Sequence, residues 1–487
     1  MRKDRVMDVV VIGAGPAGLA AGYEAVQNGH QVIVYEQDAH HVGGISRTVE
    51  YKGYRFDIGG HRFFSKNLAM ETYWKDVLGD DLLRRQRLSR IYYQGKFYDY
   101  PLKASNAFRN MGMLKTVQCL ASFAGAQIQP IKPVTNFEEW VINHFGRQLY
   151  QMFFKTYTEK VWGMPCREIS ADWAVQRIQG LSLGRAVKAA LWHGRQSANG
   201  VIKTLTNAFF YPRLGPGMLW EKVADRIREQ GGHVIMGAKV DRIFWEKGRG
   251  VVQIETPHHA STVHHVISSM PLRSFVRALH PKAPEEVINA AESLNYRDFL
   301  TVALIIDAPH LFPDQWIYIH DPNLKVGRIQ NFKNWSPAMV PDASKTGIGM
   351  EYFCFAGDQL WTMTDAALLK LAEQEARATG LLGQARCLDG IVIRVPKAYP
   401  VYDEAYEQHV LTIRHFLASH LPNVHVAGRN GMHRYNNQDH AMMTGILAAK
   451  NVSGSHYDVW AVNGDAQYLE TSGSVRSVPQ RLRSLKG

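Results

Sequence analysis

The sequence predicts an α/β fold: a Rossmann-type nucleotide-binding domain with an inserted helical lobe and a mixed-sheet substrate domain. Three observations predict it. A strand-length apolar run, MDVVVI at 7–12, enters the glycine loop GAGPAG directly. A small-residue segment of helix length, LAAGYEAVQNG, follows and stops at Gly29, and a second apolar run, QVIVYE, closes on Glu36. After a long helical stretch, further strand-like runs return at 300–306 (LTVALII) and 348–355 (IGMEYFCF).

Gly13, Gly15 and Gly18 form a GxGxxG loop. The first glycine allows the tight turn, the second lets backbone approach a pyrophosphate, and the third lets the helix pack on the sheet. Glu36 stands where a carboxylate accepts hydrogen bonds from an adenosine ribose. NAD would suit this unit equally well. The segment Gly43-Gly44-Ile45-Ser46-Arg47 favours FAD, because a second glycine pair and an arginine can embrace the same pyrophosphate from another side. In YKGYRFDIGGHRFF the alternating aromatic and polar residues imply a strand, Gly59-Gly60 permits close approach to a flat ring, and His61 is placed to contact it.

Residues 104–128 read as an amphipathic helix with Phe108, Met111, Met113, Leu114, Leu120 and Phe123 as apolar positions. This is a core or lid helix on the first reading and a peripheral membrane contact on the second. Residues 136–160 read as a helix pair broken near Gly146. Next come a turn (YPRLGPGM), a helix (LWEKVADRIREQGG), one strand (HVIMGAKVDRIFW, with Val240 as a cofactor contact) and a short buried strand in HHVISSMP. An aromatic-rich stretch around Trp316, Tyr318 and Trp335 suggests the wall of a substrate lobe. Residues 423–452 form a strand, a glycine-containing loop and a helix whose start can direct N–H groups at a cofactor. The resulting division is 1–95 with 205–290 and 420–455 for the nucleotide-binding domain, 96–204 for the helical lobe and 291–419 for the mixed-sheet domain. Residues 465–487 read as a flexible basic tail.

The chain has 487 residues, 46% of them hydrophobic, enough for a large core divided over two or three lobes. Its four cysteines are irregularly spaced, which argues against a disulfide framework and a metal cluster and points to a reducing, cytoplasmic setting. Neither an export signal nor an uninterrupted apolar run of about eighteen residues is present, so the expectation is a soluble protein, with contact at the inner membrane face as an option. Lysine and arginine outnumber aspartate and glutamate 56 to 44, a formal charge of +12 that favours anionic partners. No nucleic-acid-binding signature accompanies the charge, so nucleic acid is not an expected partner.

Taken together, these segments resemble the flavoprotein superfamily of protoporphyrinogen oxidase, the amine oxidases and UDP-galactopyranose mutase, and the mutase motifs match best. Tyr157, Thr158, Lys160, Trp162 and Gly163 are similar to its Tyr-Thr-x-Lys-x-Trp-Gly motif, YPVYD at 399–403 to its Tyr-Pro-Ile element, and GRNGMHRYNNQDH at 428–440 to its Gly-Arg-Leu loop and following Arg-Tyr. The resemblance implies non-covalent FAD, active in its reduced form, held by Gly13, Gly15, Gly18, Glu36, Gly43, Gly44, Arg47, Gly60, His61, Val240, Gly428, Arg429 and Asn437. It implies His61, Trp162, Arg429 and Tyr435 as catalytic residues, and Tyr157, Trp162, Arg177, Tyr399 and Tyr435 against an anionic phosphorylated-sugar substrate. An external reductant of the flavin is implied as well. The chain departs from the mutase pattern at Asn437, where an aspartate is usual, and at Leu181, where a mobile-loop arginine is usual; Arg185 is a possible substitute. These departures leave the sugar open, a lipid-linked one included. The alternative is a net oxidoreductase that dehydrogenates its substrate and passes electrons to oxygen or quinone.

Overall fold

The computed structural model describes residues 8–65, 67–102, 104–171, 208–403 and 405–462. Strand Asp8–Ile12 is the centre of a five-stranded sheet, flanked on one side by His265–Ser268 and Val424–Val426 and on the other by Gln31–Tyr35 and His233–Ile235. Every pairing in it is parallel. Helix Pro16–Gln27 starts at the glycine loop, and Gly29 follows it at φ +82°. Its small residues let helix Gln438–Val452 pack against it: a Cβ at Gly445 would lie 2.1 Å from the Ala17 carbonyl oxygen.

The run 233–245 is not one strand. His233–Ile235 extends the parallel sheet, whereas Arg242–Glu246 belongs to a separate four-stranded sheet. Gly237, at φ +65°, turns the chain between them, and Val240 lies buried in the connection. Similarly, YKGYRFD is a hairpin, Thr48–Tyr51 against Tyr54–Asp57, because Lys52 and Gly53 both take positive φ and fold the chain back.

A seven-stranded sheet forms the other half of the molecule, in the order Cys387–Pro400, Tyr296–Ile306, Thr346–Cys354, Arg328–Asn331, Trp316–Ile319, Ser89–Tyr93 and Lys96–Asp99. Its strand Tyr296–Ile306 is buried along its whole length, as expected of a strand covered on both faces. The last two strands move the lobe boundary. Residues 89–99, divided by sequence between the nucleotide-binding and helical parts, belong to this sheet through the parallel pairing of Trp316–Ile319 with Ser89–Tyr93. Helix Tyr406–His420, assigned by sequence to the mixed-sheet domain, instead buries Val410, Ile413, Phe416 and Leu417 in the core beneath the parallel sheet, with Val10, Ile12 and Val266.

Helix Ala104–Ile128, kinked at Gly112, packs on the edge strand Lys96–Asp99 and on the pair Phe137–Phe145 and Arg147–Tyr150, which breaks at Gly146. After a π-helical turn the chain enters helix Thr156–Trp162. Residues 465–487 and most of the segment 166–204 lie outside the described residues. All four cysteines are free. Among the described residues no helix is long and apolar enough to cross a membrane.

Candidate active site

A cavity of about 1540 Å³ runs between the parallel sheet and the seven-stranded sheet. This exceeds the range of roughly 300–1,000 Å³ typical of a single drug-sized ligand and has room for a cofactor and a substrate together. One end is a backbone cradle. Gly13 turns at φ +95° and donates its N–H to the Tyr35 carbonyl at 2.7 Å. Gly18 sits so close to this turn that a Cβ would fall 1.8 Å from the Gly13 carbonyl oxygen. The glycine pair at 43–44 takes positive φ and lies against Gly15, so two glycine turns face each other across the cradle. Gly15 begins the first helix without a side-chain cap, leaving first-turn N–H groups for an anion.

Glu36 closes this end. Its carboxylate accepts the Ala14 N–H at 2.6 Å and the Asp38 N–H at 2.9 Å, and burial pushes its pKa up. Val240 lines the wall beside it. Arg47 donates to the Gly44 carbonyl at 3.2 Å, while its buried Nε has no hydrogen-bond partner.

The middle of the cavity carries Gly59, Gly60 and His61. A Cβ at Gly60 would fall 2.8 Å from Gln330 Nε2, so the glycine is needed for the approach of the two segments. His61 donates from Nε2 to the Ile58 carbonyl at 2.7 Å. Burial, with the nearby Arg429 and Arg328 charges, lowers its pKa to about 4, so it is neutral near pH 7.

The other end is an aromatic chamber. Trp162 stacks on Tyr402 with ring centres 6.2 Å apart. Tyr399 and Tyr435 lie nearly parallel at 5.7 Å, and the Arg429 guanidinium is 5.0 and 4.8 Å from their centres. Arg429 is aimed by carbonyls: it donates to Asn436 O at 3.1 and 3.0 Å and to Ala398 O at 3.1 Å. Tyr157 stacks on His320 at 4.8 Å and meets Tyr318 edge-on at 5.4 Å. Arg328, whose Nε bonds Glu351, borders the same wall. The lining thus joins stacking surfaces to guanidinium groups, which suits a molecule with an anionic part and a flat or ring-shaped part.

A model of the family described as flavin containing amine oxidoreductase matches residues 16–453. The chain belongs to this family. It is 27% identical over 177 residues to a protein of Klebsiella pneumoniae described as a probable UDP-galactopyranose mutase, covering 34% of this chain and 43% of that protein. It is 39% identical over 64 residues to a 1-hydroxycarotenoid 3,4-desaturase of Flavobacterium sp. (strain P99-3), 13% of each chain. Both matches span less than half the length of these relatives. Among solved structures, reduced UDP-galactopyranose mutase superposes with a TM-score of 0.82 at 21% identity, over 95% of this chain and 97% of that one. Putrescine oxidase bound to putrescine superposes at 0.61 and 16% identity, over 93% and 100%.

This flavoenzyme's cradle fits FAD. A dinucleotide's pyrophosphate needs close backbone and a cation, and the site offers the glycine turns, the uncapped helix start and the unpartnered Arg47 Nε. Gly428, at φ +79° with its N–H bonded to Thr444 Oγ1 at 2.9 Å, borders the cavity from the turn that follows strand Val424–Val426. Asn437, a departure from the mutase pattern, caps helix Gln438–Val452 in a reciprocal pair with His440. In the first turn of that helix Asp439 is buried and raised to about 6 by burial, although hydrogen bonds from Ser65 and the His440 N–H oppose the shift.

Most of the residues singled out in the sequence line this one cavity; Gly18 and Gly43 support it from behind. Arg177, Leu181 and Arg185 lie outside the described residues. Lys160, though part of the motif, does not line the cavity: it donates to the Ile319, Asp321 and Val326 carbonyls at 3.1, 2.6 and 3.3 Å, tying its helix to the sheet. Sequence reasoning passed over Arg328, Glu351, His320 and Asp439. The first three lie on the seven-stranded sheet or at its edge, and no local motif marks them.

Gly163 ends the Trp162 helix at φ +68°, with its missing Cβ position 2.4 Å from Arg297 Nη1. Arg297 in turn donates to the Val161 and Lys160 carbonyls at 3.2 and 3.1 Å. Gly163→Ala is expected to cost about 1–3 kcal/mol, read as a fall in melting temperature, because it strains the turn and displaces the guanidinium.

A pH effect follows from two buried imidazoles. Burial lowers His61 to about 4 and His320 to about 3, the latter helped by the Lys160 charge. In the unfolded chain each takes up its proton near 6.5, so between that pH and the folded values the unfolded state binds more protons. Their stabilising contribution is present above about pH 6.5 and is lost as pH falls toward 4. Melting temperatures across pH 7 to 4 should fall less steeply in His320→Asn than in the wild type.

Proposed function

We propose that this flavoenzyme acts on a phosphorylated or nucleotide-linked sugar with its flavin in the reduced state and with no net redox change, in glycan or cell-envelope biosynthesis. The observation that carries the reading is the charge of the chamber: Arg328 and Arg429 border the same tyrosine walls, and His61 and His320 are held neutral. Guanidinium groups attract a phosphate and repel the ammonium of an amine substrate. The similarity to the Klebsiella protein and to the reduced mutase structure supports the same direction.

When bound, reduced FAD supplies an electron-rich ring able to act as a nucleophile. The chain's residues do the rest. Arg328 and Arg429 hold the anionic part, Tyr399 and Tyr435 flank it, and Trp162 and Tyr157 confine the sugar and exclude water. His61, fixed on the Ile58 carbonyl, would present an uncharged edge to the bound cofactor. The enzyme depends on an external reductant to reach its working state. A second reading, net dehydrogenation with electrons passed to oxygen or quinone, is favoured by the likeness to the carotenoid desaturase and to putrescine oxidase.

The two readings separate when anaerobic, dithionite-reduced enzyme is given UDP-, dTDP- and GDP-sugars and the products are separated by chromatography. An isomer of equal mass, formed with reduced and not with oxidised enzyme, supports the first reading. Absence of an isomer, with bleaching of the oxidised flavin by a reduced lipid, porphyrinogen or amine, supports the second.

A further inference from the structure

Helix Ala104–Ile128 turns apolar side chains to solvent. Beyond the kink at Gly112, Met113 is 86% exposed, Leu114 74%, Val117 57% and Ile128 84%. Leu114, Val117, Ala121, Ala124 and Ile128 recur at alternating spacings of three and four, so they form one stripe. The opposite side of the helix packs inward through Met111 and Cys119. Single exposed apolar residues need no explanation, but a continuous stripe marks an interaction surface.

The charges around the stripe identify its partner. Between Asp99 and Glu138 the sequence has no acidic residue, whereas Lys103, Arg109, Lys115 and Lys132 fall in the interval. An apolar helix face on a segment whose charged residues are all cations fits an interface of lipid tails beneath anionic headgroups. A second copy of this chain fits poorly, because stacking two such faces brings like charges together. The position of the helix agrees with a lipid partner. Leu102, just before the helix and 41% exposed, lines the large cavity, and Phe145, Leu149, Phe153 and Phe154 continue an apolar wall inward from it. We infer that this flavoenzyme docks on an anionic bilayer surface through the solvent-facing stripe of helix Ala104–Ile128, with the apolar end of its cavity turned toward the membrane.

The test is co-sedimentation of full-length holoenzyme with phosphatidylcholine vesicles, with and without about one-third phosphatidylglycerol. Wild type should pellet with the anionic vesicles and be released by salt. Leu114→Glu/Val117→Glu should remain in the supernatant while keeping its flavin absorbance and circular dichroism, since both side chains are exposed. Arg109→Gln/Lys115→Gln should weaken binding by about thirtyfold, from roughly 1 kcal/mol for each cation near the surface. Failure of the wild type to pellet would overturn the inference. So would undiminished binding of the two helix variants, which would assign the attraction to the basic C-terminal residues. A concentration-dependent dimer lost in Leu114→Glu/Val117→Glu, without vesicle binding, would assign the stripe to a second copy and overturn it as well.

Discussion

Gly18→Ala is expected to give a protein that purifies without flavin. The added Cβ would fall 1.8 Å from the Gly13 carbonyl oxygen and 3.2 Å from a Val11 methyl. Neither contact can yield cheaply, because the first is backbone and the second belongs to the central strand. The helix must move away from the loop, which pulls its uncapped first turn from the position that meets the pyrophosphate. The 450 nm absorbance per protein should fall at least tenfold, with a lower melting temperature. Gly15→Ala is the informative companion. Its Cβ would meet nothing closer than Gly44 Cα at 3.9 Å, so the fold should tolerate it. Its expected defect is weaker FAD affinity at nearly unchanged stability of the flavin-free protein, because the methyl group occupies the line of approach to the cofactor.

The second large effect is expected at the Arg328–Glu351 pair. Glu351 is 1% exposed and also accepts from Gln330 Nε2, so the ion pair is largely withdrawn from water. Glu351→Gln leaves the guanidinium without its counter-charge and should destabilise the protein by about 3–5 kcal/mol, measured by denaturant unfolding. Replacing both partners, Arg328→Met/Glu351→Met, removes the uncompensated charge and should restore most of that stability. On the proposed function, the double variant should remain folded and flavin-bound and yet lose affinity for an anionic substrate. Stability and substrate recognition are thereby separated in one pair of residues.

What the sequence made legible was whatever local spacing encodes. The GxGxxG loop, Glu36, the Gly43-Gly44 turn and Arg47 converge on one cradle because each is tied to a turn or to the end of a strand, and turns have residue requirements visible over a few positions. Motifs pointed to the aromatic residues Tyr157, Trp162, Tyr399 and Tyr435, which line the cavity. Arg328, Glu351 and His320 were not, because their meeting depends on long-range pairing: Arg328 stands opposite Glu351 only through the antiparallel register of Arg328–Asn331 with Thr346–Cys354. The run 233–245 misled for the opposite reason. Its apolar content fits one long strand, and the turn at Gly237 that sends its halves to different sheets is decided by packing. Lys160 shows that a residue within a functional motif can serve the scaffold, where its ammonium satisfies three carbonyls.

The central claim, that the chamber beside the flavin cradle receives an anionic substrate, is tested most directly by titrating oxidised holoenzyme anaerobically with UDP and, separately, with putrescine while recording the flavin spectrum. The account predicts a saturable spectral shift with UDP, weakened in Arg328→Met/Glu351→Met, and no response to putrescine. Bleaching of the flavin by putrescine, with no response to UDP, would contradict it and identify an amine-oxidising site.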